Sequence, residues 1–337
     1  MKKALFVAAG FMVFGAASAM AQGGGLNAPT CPNGTQSQQI AQDACQQAYD
    51  LFQFLAPQLG TAIAGGNATI GQGSTLGGFG HFSIGVRVNA VQGAYPDVTT
   101  FTQRTSGASP ARTLPTKDQF IPFPTADAAV GILGGIPLGV TNVLAVDALV
   151  SATYVPTITQ NSVTVTPSQN LQLGYGGRVG ILQESIVVPG VSVTYLKRDL
   201  PTISMQGTSG NNTLSINNAT VKTTAWRAVV SKSLVVFGFA AGAGKDTYDE
   251  KADISATVNN IVGIPGVTQG TAQVPGTSQS LDRTTYFGDI SLNLPLFKIV
   301  AEAGQVSGGT VNTYNSFSAG RADRSLQYYS VGLRLGF

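Results

Sequence analysis

Nine charged side chains share one face of stretches that alternate apolar and polar residues. They are Arg87, Arg178, Arg227, Lys298 and Arg334 on the positive side and Asp147, Glu184, Asp289 and Glu302 on the negative. A period of two belongs to β-strands, which send successive side chains to opposite faces. Near-balanced charge behind a row of Val, Ile, Leu and Phe has two chemical uses. Enclosed together, the charges form an ion-pair network that fills and stiffens an interior, because an unpaired charge there is costly. Facing water, they line a conduction path. The sequence leaves both open.

The other chemistry-bearing residues are few. His81 is the only histidine, and Ser83 follows it on the same strand face. A serine hydrolase needs base, nucleophile and orienting group in mutual reach, and two residues of one strand supply only a start. Both read as polar groups of an interior or its mouth, so no catalytic residue is assigned and no enzyme is expected. "AAGAGKD" at 240–246 lacks the glycine spacing and the following Ser or Thr of a phosphate loop. "KDTYDEKAD" at 245–253 groups Asp246, Asp249, Glu250 and Asp253. That group would suit a divalent cation or simply a solvated loop, and no metal site or cofactor is assigned. Cys31 and Cys45 are the only cysteines. In an exported chain they are expected to pair, closing a loop of about 15 residues worth about 3 kcal/mol.

Export is what the front end predicts. Lys2 and Lys3, an apolar run from Ala4 to Ala17 and the small residues of "ASAMA" form a signal segment over 1–21, with cleavage before Gln22. Without Lys2 and Lys3 the chain carries 17 basic against 16 acidic residues, with no basic stripe, which excludes a nucleic-acid footprint. Charged residues are 10% of the chain, against roughly 25% in soluble domains. Mean hydropathy is positive, yet after residue 21 no apolar run reaches a helical membrane span. A chain that is apolar overall but never for long is the pattern of a membrane β-barrel.

The elements that must position these residues follow from periodicity. From Gln36, "QSQQIAQDACQQAYDLFQFLAPQLG" spaces Ile40, Ala44, Ala48, Leu51, Phe52 and Leu55 for an amphipathic helix, stopped at Pro57 and Gly60. After a Gly-rich stretch from Gly60 to Gly80 come about ten strands: 79–92, 127–138, 142–155, 171–186, 191–203, 219–232, 234–247, 283–294, 297–308 and 324–337. Two long gaps leave room for further hairpins and a total of twelve or fourteen. Short gaps at 139–142, 188–190, 231–233 and 294–297 alternate with long ones at 93–126, 156–170, 204–218, 248–282 and 309–323. Outer-membrane barrels sort their turns and loops in this way. The expected fold is therefore all-β: an antiparallel transmembrane barrel over 66–337, behind a disulfide-closed helix and linker over 22–65. By loop parity that helix belongs to the short-turn, periplasmic side, either as a plug in the mouth or outside it. Inner-row glycines, among them Gly85, Gly131, Gly174, Gly176 and Gly180, mark barrel curvature or room for an inserted element. The outer row would face outer-membrane lipid between aromatic girdles, with Tyr154, Tyr286 and Tyr329 at one end and Phe297 and Phe337 at the other.

The stretches "LAPQLGTAIAGGNATIGQGSTLGGFGHFSIGVRVNAV", "VGILGGIPLGVTNVLAVDALVSATYVP" and "WRAVVSKSLVVFGFAAGAG" resemble a family of uncharacterised bacterial outer-membrane barrels. That family is distantly similar to the FadL-type transporters of hydrophobic compounds. The resemblance implies a passive channel or transporter for small, hydrophobic solutes, with fourteen strands and an N-terminal hatch in the FadL-type case. The terminal Phe337 resembles the C-terminal signature that such proteins present to the barrel-assembly machinery. The alternative is a closed-lumen structural or surface-interaction protein. The solute is not legible.

Overall fold

The structure, a computed structural model, describes residues 25–97, 104–160, 163–209, 212–259, 261 and 266–336. The expected signal segment 1–21 and the terminal Phe337 lie outside them. One helix, α1 (Gln36–Ala64), precedes ten wall strands: β1 (Phe82–Pro96), β2 (Thr116–Leu133), β3 (Ala145–Tyr154), β4 (Leu171–Leu182), β5 (Gly190–Asp199), β6 (Asn212–Ser233), β7 (Phe237–Asn259), β8 (Gln269–Asn293), β9 (Lys298–Val306) and β10 (Leu326–Gly336). Each pairs antiparallel with its sequence neighbour, and β10 closes on β1 from Ser83↔Gly336 to Val91↔Tyr328. The result is an up-and-down barrel whose strands are paired on both sides around the ring, while β2 before Thr125 and β8 before Thr285 extend beyond one neighbour towards the long loops.

The ring has the ten strands expected, and the further hairpins that would have made twelve or fourteen do not enter it. The long gaps at 93–126 and 248–282 contain extensions of strands already counted. β2 starts at Thr116, while β7 runs to Asn259 and returns as β8 from Gln269. Smaller strands at Ile158–Gln160, Val163–Pro167 and Ile203–Ser209 add a flap on the start of β6 without entering the ring.

The outward row is apolar and exposed in the half nearer the short turns: Phe82, Ile84, Val86 and Val88 on β1, and Val331, Leu333 and Leu335 on β10. Tyr154, Tyr175, Trp226, Tyr286 and Tyr329 mark its long-loop border, and Phe237 and Phe297 its other border. This is a lipid-facing belt with girdles. Beyond it the strands invert. On β7 the outward positions become Lys245, Asp249 and Lys251, while Ile254, Ala256 and Val258 point in and are buried. The long-loop half is thus built like a water-soluble domain, apolar inside, and α1 fills it.

Candidate functional site

Every wall strand carries an inward charge near the level where the polarity inverts: Arg87, Asp127, Asp147, Arg178, Arg198, Arg227, Asp246, Asp289, Glu302 and Arg334, in strand order; Glu250 on β7 and Arg283 on β8 are buried inward as well. All but Asp127 are buried. Arg178 meets its cross-strand partner Asp147 at 2.7 Å, Arg87 and Arg198 share Asp127 at 2.9 and 2.8 Å, and Arg227 pairs with Asp246.

What completes these charges is the chain's own backbone. Residues 65–80 leave the end of α1 and descend through the lumen to the start of β1. Arginines take their carbonyls: Arg198 donates to Ala64 O (3.0 Å), Arg227 to Gly65 O (2.9 Å) and Gly66 O (3.2 Å), Arg87 to Asn67 O (2.6 Å), and Arg334 to Ile70 O (3.0 Å). Carboxylates take their amides: Asn67 N donates to Glu302 (2.9 Å), Gly71 N to Asp289 (2.9 Å) and Leu76 N to Asp147 (3.1 Å). A segment without secondary structure buried in a barrel would strand its peptide groups; the ring of wall charges supplies their partners. The linker runs so close to the wall that only glycine fits opposite it. A Cβ on Gly131 would lie 2.2 Å from Gly78 O. The inner glycine at 131 therefore makes room for an inserted element.

α1 corrects two expectations. It does not stop at Pro57 or Gly60 but continues to Ala64, enclosed by the walls; Gly60 leaves space for the Tyr248 ring, which an added Cβ would meet at 2.8 Å. Nor does it lie at the short-turn mouth. Its capped start at Thr35 and Gln36 sits beside the tip of the β7–β8 hairpin, with Thr271 N donating to Ser37 Oγ at 3.0 Å. The helix then descends towards the belt. Of its 29 residues 23 are buried, so there is no solvent face. Polar residues of the helix bond the long loops: Asp50 accepts from Tyr314 N, Asn315 N and Asn315 Nδ2, and Asp43 from Ser109 N. Burial pushes the Asp50 carboxyl up to about 6 despite those bonds. A Cys31–Cys45 disulfide ties the preceding segment to the helix.

The remaining expected residues divide. Glu184 and Lys298 lie at the short-turn mouth, past the end of β4 and at the start of β9. His81 and Ser83 line one cavity there without a hydrogen bond between them among the described residues. The acidic group at 246–253 is split by strand alternation: Asp246 and Glu250 point in and are buried, Asp249 and Asp253 out. Arg198, Asp127 and Asp246 were missed as lumen charges. Arg198 and Asp246 both have the parity of the inward row on β5 and β7 and could have been found by it; Asp246, inside the expected strand 234–247, was grouped instead with the acidic residues of 245–253.

A closed ring, an apolar belt and an enclosed charge layer define a transmembrane β-barrel whose lumen is occupied by its own N-terminal segment. No protein-family model matches the chain, and no curated protein matches it. Among solved structures it is similar to the transport unit of the autotransporter AIDA-I from Escherichia coli (7% identity, TM-score 0.36, covering 87% of this chain and 99% of that one). It is also similar to the toluene transporter TodX of Pseudomonas putida (10%, 0.33, 82% and 97%) and the toluene transporter TbuX of Ralstonia pickettii (12%, 0.28, 82% and 92%). These likenesses are loose, and the barrel assignment stands on the hydrogen-bonded ring and the belt.

Proposed function

We propose that this chain is an outer-membrane channel for small solutes that its own N-terminal segment holds shut. The observation that carries the reading is how residues 65–80 are held. Arginine-to-carbonyl and amide-to-carboxylate bonds fix them, and water can replace such bonds one for one at modest net cost. With the segment displaced, the same ten charges would line a polar passage, which suits polar solutes better than the hydrophobic ones the resemblance implies. In this reading Arg87, Asp147, Arg227, Asp289, Glu302 and Arg334 hold the plug, Arg178 braces Asp147, and Glu184 and Lys298 flank its exit. The belt, the sorted loops and the signal segment support placement in the outer membrane, with lipid around the belt and the C-terminal strand, ending in Phe337, offered to the assembly machinery.

A second reading, a permanently closed barrel with a surface role, is favoured by the apolar packing of α1. Ile40, Phe52, Phe54 and Leu55 lie in one buried cluster with Ile203, Leu214, Ile216 and Ile254. Locking the linker separates the two. The Cβ of a residue at 180 would lie 3.5 Å from that of Thr75, which is disulfide distance. In planar bilayers the refolded wild type should show conductance steps. The Thr75→Cys/Gly180→Cys variant should be silent when oxidised and step again in reductant, with reduced wild type as control for the native disulfide. Silence throughout, from protein shown to be folded by heat-modifiable gel mobility, establishes the closed reading.

A further inference from the structure

We propose that the short-turn mouth carries a phosphate-binding site centred on Lys298 and Arg334. These two cations are direct cross-strand partners in the β9–β10 register, an arrangement that like charges disfavour. The other four arginines of the charge ring each meet a carboxylate. Among the described residues, none lies within 4.0 Å of Lys298 or Arg334. Lys298 Nζ makes no hydrogen bond there. Arg334, 6% exposed, gives one donor to Ile70 O and leaves the rest facing a cavity of about 330 Å³.

That cavity has the composition of an oxyanion pocket. Gln72, His81 and Ser83 line it beside the two cations, and no acidic residue does. Lys298 and Arg334 also line, together with Glu184, an adjoining cavity of about 360 Å³; Glu184 accepts there from Ser231 Oγ (3.1 Å) and Ser233 N and lies more than 4.0 Å from both cations. Five donor-bearing side chains exceed what the two oxygens of a carboxylate can accept and suit the three or four of a phosphate. A planar guanidinium fork beside an ammonium point charge is a recurring phosphate arrangement. The group has two possible sources, a soluble phosphate or a phospholipid headgroup. The exposed apolar tips Ile186, Val235 and Leu296 put the rim of the mouth against lipid.

The site does not depend on whether the lumen ever opens, so binding tests it without conductance. Full-length protein in non-ionic detergent is titrated with inorganic phosphate by calorimetry. In parallel, retention of phosphatidylglycerol over phosphatidylcholine is measured by native mass spectrometry. One phosphate per chain, weakened at least tenfold by Lys298→Gln and unchanged by Lys251→Gln on the outer surface, is the expected result and names the soluble source. No response to phosphate but selective retention of one phosphatidylglycerol, lost in Lys298→Gln, supports the same site with the headgroup as its ligand. Arg334→Lys keeps the charge without the fork and should fall between the two. Absence of both signals in the folded wild type, or equal binding by folded Lys298→Gln, overturns the proposal.

Discussion

Two ion pairs of nearly equal length show how far burial decides the worth of a charge. Arg178–Asp147 spans 2.7 Å with both side chains enclosed, while Lys245–Asp282 spans 2.8 Å with both more than half exposed. Replacing Asp147 by Ala leaves Arg178 unpaired in the lumen and removes the acceptor of Leu76 N, a loss of about 3–5 kcal/mol by analogy with other buried pairs. Asp282→Ala loses a screened surface ion pair and an exposed hydrogen bond from Thr247 Oγ1, the pair worth less than about 1 kcal/mol. Urea unfolding of the refolded variants should separate them; equal losses would mean that water reaches the charge ring. Strand parity alone finds Asp147 and Arg178, because alternation around them is clean. It does not find that their second partner is a peptide group of residues 65–80, since nothing in a period of two says what occupies the space it encloses. The one residue-level signal was glycine on the inner face, Gly131 above all, where a side chain would strike the linker backbone.

At the scale of elements, the places where the reading ended strands too early coincide with the polarity inversion. β7 alternates apolar-out through Phe237 and Phe239, then apolar-in through Ile254, Ala256 and Val258. A search for lipid-facing rows stops at the change of phase and calls the remainder loop. The same inversion explains α1. Its amphipathic spacing is real, but its Gln and Asp row meets the long loops instead of water, and enclosure carries it through Pro57. The Asp50 carboxyl makes that docking titratable. Its affinity for protons is higher folded (about 6) than the ordinary 3.8, so the folded state holds a proton that the unfolded chain has released between these values. Stability therefore falls as pH rises through that window and levels off above it, by at most about 3 kcal/mol. The difference in unfolding midpoint between wild type and Asp50→Asn should change between pH 4 and pH 6 and stay constant from 7 to 8. A constant difference across the whole range would show that loop 307–325 does not seal Asp50 from solvent.

For the whole molecule, the ring and the sorting of its turns were legible because both are written in alternation and gap length. The direction of the N-terminal segment was not. Counting back from the last strand puts the start of β1 at the short turns, and parity then assigns a helix just before it to the same end. Sixteen residues at roughly 3.3 Å each span more than the belt, so the linker can carry the helix through the lumen to the other end. Gly25 accordingly lies near Asn312 in the long loop 307–325, and Leu26 N donates to Thr313 O at 3.3 Å. If long loops face outward, as their lengths dictate for such barrels, this end of the chain is at the cell surface. An epitope inserted between Gly24 and Gly25 should bind antibody on intact cells as strongly as one placed at residues 104–112. One placed in the 183–189 turn should bind only after the outer membrane is opened. Labelling of the Gly24–Gly25 insertion only in opened cells would return α1 to the periplasmic mouth and with it reverse the path assigned to residues 65–80.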